Sequence, residues 1–203
     1  MIYWKCIKTN ERLRDVLDVY SYITDKYGDN IVIAGGALVD LYYDKEFYDI
    51  DCFIYYKDLK GQHDVNTIVK DRIMHVIRDE YQGYDLDIVV LGISAIDHIN
   101  HFDISQKMIW LDKEGVHVHP KAAKDIINNT VSLNAMTNDF HYFRLIRAAE
   151  KYNMEIDAFD SYILNNFLSY AIENGQKLYI SKKYDEYMEN YVPYTDNDKD
   201  MYD

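Results

Sequence analysis

The sequence predicts an α+β fold with a helical C-terminal extension. In the first 130 residues, short runs rich in β-branched and aromatic residues alternate with segments of helical periodicity, whereas only helical periodicity follows. No linker rich in Pro, Gly or Ser divides the chain. Strands concentrated in one part and helices in another are typical of α+β proteins. We therefore expect a sheet-containing domain over residues 1–130, a helical extension over 131–192 and an acidic tail over 193–203.

Individual elements follow from the spacing of apolar residues. Helical spacing predicts helices over residues 10–27, 37–44, 64–80, 121–128, 133–151, 158–173 and 176–191. Runs of strand-forming residues predict strands over residues 31–34, 48–56 and 84–91, and a hairpin over residues 107–118.

Composition and charge exclude several classes of protein. The net charge is −13, from 22 basic and 35 acidic residues, so the basic face that duplex DNA binding requires is not expected. No apolar run reaches the roughly 18 residues that span a bilayer, so no membrane association is expected. The two cysteines, Cys6 and Cys52, are too few for a disulfide framework. We expect a cytoplasmic location, which for a viral chain is the cytoplasm of the host.

A strand, two glycines and a helix form the first candidate functional feature. Gly35 and Gly36 directly follow the predicted strand over residues 31–34. Glycine lets the backbone approach a ligand without a Cβ atom in the way, and a helix N-terminus favours phosphate. An ordinary tight turn gives the same pattern, so this unit indicates a phosphate site only together with other features.

Two aspartates at alternating positions of a predicted strand form the second feature. Asp49 and Asp51 point to the same face, while Ile50 and Cys52 point to the core. Such close carboxylates repel each other unless a cation lies between them. Mg²⁺ prefers oxygen ligands of this kind and the phosphates of a substrate. The pair therefore predicts a Mg²⁺ site, with a solvated strand face as the alternative.

A third carboxylate is predicted on the next strand along the chain. Asp85 and Asp87 lie at alternating positions of the strand over residues 84–91. Placed beside the first two aspartates, either one would complete a site for two metal ions, which can clamp both oxygens of a phosphoryl transfer. Asp87 is favoured because it lies between apolar neighbours on a rigid element, and Asp85 is the alternative.

In this order, these features resemble the DNA polymerase β-type nucleotidyltransferase superfamily, and most closely the head domain of CCA-adding enzymes and bacterial poly(A) polymerases. Residues 35–40, GGALVD, match the family's Gly-Gly-x-Val-Arg-Asp segment except at Val39, where arginine is usual. Asp49 and Asp51 match its Asp-x-Asp pair. Residues 102–105 and 144–148 are similar to the later Arg-Asp-Phe-Thr-Ile-Asn and Arg-Ile-Leu-Arg-Ala stretches. The resemblance covers roughly residues 31–157.

The resemblance implies a mixed sheet flanked by helices and a Mg²⁺-dependent activity. The implied reaction transfers a nucleoside monophosphate, for example from ATP, to an acceptor hydroxyl and releases pyrophosphate. Two groups of site residues are implied: the catalytic metal ligands Asp49, Asp51 and Asp87, and the nucleotide-binding residues Gly35, Gly36, Arg144 and Arg147.

The sequence leaves the acceptor open. An RNA 3′ end is favoured by the resemblance, but the acidic composition and the missing arginine at Val39 weaken the case for transfer RNA. A small molecule or a protein side chain is the alternative acceptor. A non-catalytic relative that binds a nucleotide or a partner protein is the alternative to an enzyme.

Overall fold

The computed structural model describes residues 11–61, 72–134 and 140–163. The helices in these ranges include α1 (Glu11–Tyr27), α2 (Gly36–Tyr42), α3 (Ala95–Ile99), α4 (Pro120–Asn128) and α5 (Phe140–Tyr152), and residues 158–163 are also helical. The strands are β1 (Val32–Ala34), β2 (Asp49–Tyr55), β3 (Ile73–Tyr81), β4 (Tyr84–Leu91), β5 (Ile109–Asp112), β6 (Gly115–Val118), β7 (Thr130–Val131) and β8 (Glu155–Ile156). A 3-10 turn (Ser105–Lys107) precedes β5. Within the described ranges, none of the helices has the length and apolar character needed to cross a membrane.

Six strands form one mixed sheet in the order β3-β4-β2-β1-β5-β6. β2 and β4 pair in parallel, and the other neighbours pair antiparallel. β7 and β8 form a separate two-stranded parallel sheet. The α+β class and the mixed sheet flanked by helices are therefore confirmed.

Helix α1 covers one face of the sheet. Its apolar stripe is fully buried at Val16, Val19 and Ile23. Hydrogen bonds join α1 to β3 and β4: the Tyr22 hydroxyl donates to Asp79 Oδ2 of β3 at 2.9 Å, and the Tyr84 hydroxyl of β4 donates to Asp15 Oδ2 at 2.9 Å. Alternation along the strands then assigns Ile50, Cys52, Leu86 and Ile88 to the covered face, where all four are buried. The aspartates between them are left on the opposite face.

Most of the predicted elements are confirmed. The helices over residues 10–27, 37–44 and 121–128, the three strands and the hairpin all form, with small shifts at their ends. Residues 158–163 are helical as predicted. The helix expected over residues 133–151 begins only at Phe140 among the described residues. The helix over residues 176–191 and the acidic tail over 193–203 lie outside the described residues.

The helix predicted over residues 64–80 is wrong where the structure describes it. Residues 73–81 form β3, which pairs antiparallel with β4 along its whole length. The apolar residues Ile73, Val76 and Ile77 have helical spacing because the strand is partly buried on both faces and carries an irregularity between Ile73 and His75. A strand with two half-covered faces lacks the simple alternation of apolar and polar residues.

A buried ion pair joins α5 to α2, although the two helices are about a hundred residues apart in sequence. Lys151 Nζ lies 2.8 Å from Asp40 Oδ1, and the Tyr152 hydroxyl donates to the same oxygen at 2.9 Å. The Asp40 side chain is only 5% exposed and that of Lys151 15%. Burial raises the pKa of Asp40, while Lys151 and Tyr152 oppose that rise.

The predicted boundary at residue 130/131 falls inside β7, and Leu145 of α5 belongs to the same apolar core as the sheet.

We expect Lys151→Met to lower the free energy of unfolding by about 3 kcal/mol, because it leaves a buried carboxylate without its cation. The double variant Asp40→Asn/Lys151→Met should lose less than Lys151→Met alone, since no buried charge then remains. Urea denaturation of both variants and of the exposed control Lys124→Met on α4 tests this. A loss below about 1 kcal/mol for Lys151→Met would mean that the pair behaves like an exposed surface ion pair.

Candidate active site

Four aspartates lie on the sheet face opposite α1, on the two strands that pair in parallel. The register places Asp49 beside Asp85 and Asp51 beside Asp87. Partners in register on adjacent strands point to the same face, with the strands about 4.8 Å apart. The Asp49 side chain is exposed, and the other three are half-buried. The structure therefore brings Asp87, rather than Asp85, next to Asp51, the arrangement expected for the favoured third carboxylate.

Burial and the neighbouring carboxylates both act on the ionisation of Asp51. Burial raises the pKa of Asp51 to about 7, and the negative charges of Asp49 and Asp87 add to the rise. Burial also raises the pKa of Asp87, against the opposing charge of Arg78, whose Nε lies 3.9 Å from Asp87 Oδ1. Without a cation, the site is thus a place where negative charge is unfavourable.

Gly35 borders the carboxylates with a backbone that only glycine adopts easily. Its φ is 92° and its ψ is −138°. A Cβ atom placed on Gly35 would lie 3.5 Å from Asp51 Oδ2, whereas one placed on Gly36 would meet no atom within 4 Å. The Gly35 N–H donates to the carbonyl of Ile109 at 3.3 Å, which fixes the turn against β5. The predicted glycine turn therefore lies directly beside one of the predicted metal ligands.

Arg144 and Arg147 lie on α5, and both side chains are half-buried. Arg144 Nη1 lies 2.7 Å from Asp103 Oδ2, so its charge is matched by a buried carboxylate. Arg144 also lowers the pKa of Asp51, which places its charge close to the candidate site. Arg147 follows three residues later on the same helix.

Lys107 and Asp103 belong to this region and were missed as site residues by the sequence reasoning. Lys107 ends the 3-10 turn, and burial lowers the pKa of its ammonium group to about 8, while Asp103 and Asp51 act to raise it. Asp103 lies in residues 102–105, which resemble a family motif, and this resemblance could have indicated it as a site residue. Lys107 gave no such signal, because its position depends on a short turn with no periodic pattern.

The aspartate oxygens at this site are of the kind that binds a hard cation, but their side chains are not arranged around a single point. Among residues 11–61, 72–134 and 140–163, no three carboxylate, imidazole or thiolate groups converge at metal-coordinating distance. The nearby donors are carboxylate oxygens, which Mg²⁺ prefers. The pairing of β2 with β4 holds the backbones of Asp49, Asp51 and Asp87 on one face of the sheet.

Comparison with solved structures identifies the same fold in CCA-adding enzymes. The CCA-adding enzyme of Thermotoga maritima in complex with tRNA matches with a TM-score of 0.59 and 12% identity, over 81% of this chain and 44% of that chain. A CCA-adding enzyme in complex with CTP matches with a TM-score of 0.58 and 15% identity, over 88% of this chain and 48% of that chain. The Bacillus stearothermophilus enzyme with CTP gives a TM-score of 0.56 and 11% identity, over 74% of this chain and 42% of that chain.

The likeness is one of fold. No protein-family model and no curated protein matches the sequence. The chain spans less than half the length of the structures named above. Over the aligned part it has the mixed sheet and flanking helices of the CCA-adding enzyme head domain, as the sequence resemblance implied.

We expect Gly35→Ala to lower the free energy of unfolding by roughly 1–3 kcal/mol, because alanine is strained at this φ and ψ. Gly36→Ala is the matched control, since it adds the same methyl group one residue later into open space. Urea denaturation should show a loss for Gly35→Ala and none for Gly36→Ala. Equal effects in the two variants would contradict a special role for the Gly35 backbone.

Proposed function

We propose that the protein is a Mg²⁺-dependent nucleotidyltransferase that moves a nucleoside monophosphate from a nucleoside triphosphate to an acceptor hydroxyl. The observation that carries the proposal is the parallel register of Asp51 and Asp87 beside the Gly35 turn. It brings carboxylate oxygens, which Mg²⁺ prefers as ligands, close to a glycine turn that follows a strand. The related folds solved with CTP and ATP support a nucleoside triphosphate as the donor.

Asp49, Asp51 and Asp87 would hold the metal ions. When bound, Mg²⁺ would neutralise the charge of the triphosphate and lower the pKa of the attacking hydroxyl. A bound cation would favour the ionised form of Asp51, against the burial and the negative charges of Asp49 and Asp87 that raise its pKa. The open space beside Gly36, and the absence of a side chain at Gly35, would admit the phosphates close to the main chain.

In the proposed reaction, the acceptor oxygen forms a bond to the α-phosphorus. The bond from the α-phosphorus to the oxygen that bridges the α- and β-phosphates breaks, and pyrophosphate leaves. Asp87 would orient the acceptor hydroxyl and take its proton. Arg144 and Arg147, on α5, would contact the nucleotide.

The acceptor that we propose is an RNA 3′ end, because the CCA-adding enzyme of Thermotoga maritima, which has a similar fold, is solved in complex with tRNA. The direct experiment incubates the protein with Mg²⁺, each labelled nucleoside triphosphate in turn and total cellular RNA, and measures label in RNA and pyrophosphate released. Labelling should stop when a chelator removes the metal. Nucleotide binding without pyrophosphate release would favour a non-catalytic relative, and transfer to a protein or a small molecule would replace RNA as the acceptor.

We expect Asp49→Asn and Asp51→Asn each to reduce transfer by about 10³-fold or more, since each removes a metal ligand from a charge-stabilised transition state. Neither change should lower stability in metal-free buffer, because each removes a repelling charge. Transfer rates and melting temperatures, measured on the same preparations, test both expectations. Undiminished transfer by the two variants would rule out the metal site.

We expect Asp87→Ala to eliminate transfer and Asp85→Ala to keep most of it. Asp87 is the register partner of Asp51, whereas Asp85 is the partner of Asp49, one pleat further along the strand. The two variants remove the same group from the same face of the same strand, so each serves as the control for the other. Loss of transfer in Asp85→Ala with activity retained in Asp87→Ala would reverse the assignment.

A further inference from the structure

An aromatic ring lies beside the aspartate site, in the segment that connects α3 to the 3-10 turn. A Cβ atom placed on Gly35 would lie 3.8 Å from Phe102 Cε2 and 3.5 Å from Asp51 Oδ2. The ring edge and the carboxylate therefore border the same small volume above Gly35. This contact comes from the tertiary fold, because Phe102 is distant in sequence from both residues.

Hydrogen bonds hold the main chain of Phe102 on both sides, and its ring packs in an aromatic cluster. Its N–H donates to the carbonyl of Ile99 at 3.0 Å, and its carbonyl accepts a hydrogen bond from Asn134 Nδ2 at 3.0 Å. The ring centroid lies 5.6 Å from that of Phe53 and 5.6 Å from that of His98. Phe102 is nevertheless only half-buried, so part of its ring remains available for contact.

The aromatic cluster of Phe53, His98 and Phe102 is uncharged at neutral pH. Burial lowers the pKa of His98 to about 4, so the imidazole is neutral. The volume above Gly35 thus has two different walls. One wall is the acidic group that suits metal and phosphate, and the other is apolar and aromatic.

We propose that Phe102 is the stacking surface for the base of the bound nucleoside triphosphate, an inference that rests on the proposed function. A nucleobase is flat, uncharged and aromatic, and aromatic side chains bind it through its face. A nucleoside whose phosphates lie near Asp51 and Gly35 would have the Phe102 ring within reach, since Phe102 Cε2 and Asp51 Oδ2 both lie within 4 Å of a Cβ atom placed on Gly35. Since every base has such a face, Phe102 contributes affinity for all four nucleotides and no choice among them.

The experiment compares nucleoside triphosphates with inorganic tripolyphosphate, which carries the phosphates but no base. Calorimetric titrations with Mg²⁺ and without an acceptor measure both ligands on the wild type, Phe102→Ala and Phe102→Leu. We expect Phe102→Ala to weaken ATP, CTP, GTP and UTP alike, by about tenfold or more. Phe102→Leu should lose less, because it keeps apolar contact, and tripolyphosphate affinity should be unchanged in both.

A matched control is Phe159→Ala, which removes the same aromatic group from a side chain that is 69% exposed in the helical residues 158–163. It should leave all affinities unchanged. Unaltered triphosphate affinity in Phe102→Ala would overturn the proposal. So would an equal loss for tripolyphosphate, a loss confined to one base, or a rise in the acceptor KM with nucleotide affinity unchanged.

These titrations do not depend on turnover, so failure of the two proposals can be distinguished. A wild-type protein that binds triphosphates through Phe102 but releases no pyrophosphate would refute the proposed transfer and leave the stacking surface in place. An active protein whose triphosphate affinity is insensitive to Phe102→Ala and Phe102→Leu would refute the stacking surface alone.

Discussion

The parallel pairing of β2 with β4 is the constraint on which the candidate site depends. It places Asp51 beside Asp87 and, on the opposite face, Ile50 beside Leu86. A slip of one residue would turn the aspartates toward α1 and the apolar side chains toward solvent. The buried row on one face therefore fixes the geometry of the carboxylates on the other, and the core specifies the site without contacting a ligand.

Polar contacts hold the segment over residues 100–107, which borders the candidate site. Asp125 of α4 accepts hydrogen bonds from the hydroxyl groups of Ser105 and Ser132 and from the N–H of Ser132. Asn134 donates to the carbonyls of Asn100 and Phe102. These bonds add to the backbone hydrogen bonds that order the segment over residues 100–107. Phe102, Asp103 and Lys107 are positioned by that segment.

The sequence was sufficient where a pattern is local and insufficient where it depends on distant contacts. Asp49 and Asp51 could be assigned to one face because alternation along a strand is a local property. β3 was missed because both of its faces are partly covered, although Gln82 and Gly83, which both have positive φ, form the kind of two-residue turn that favours a hairpin. The position of Phe102 beside Gly35 and the pairing of Lys151 with Asp40 follow from tertiary packing, so no window of sequence contains them.

The pairing of Asp40 with Lys151 and Tyr152 also bears on how the molecule can move. Asp40 lies on the helix that directly follows the glycine turn, and its partners lie at the end of the helix that carries Arg144. Separating them would leave the buried Asp40 carboxylate without its cation. We therefore expect α2 and α5 to move together as one rigid body. A macromolecule that displaced α5 would therefore also displace the turn at Gly35, so binding on the outer surface of the helical part could change the geometry beside Asp51.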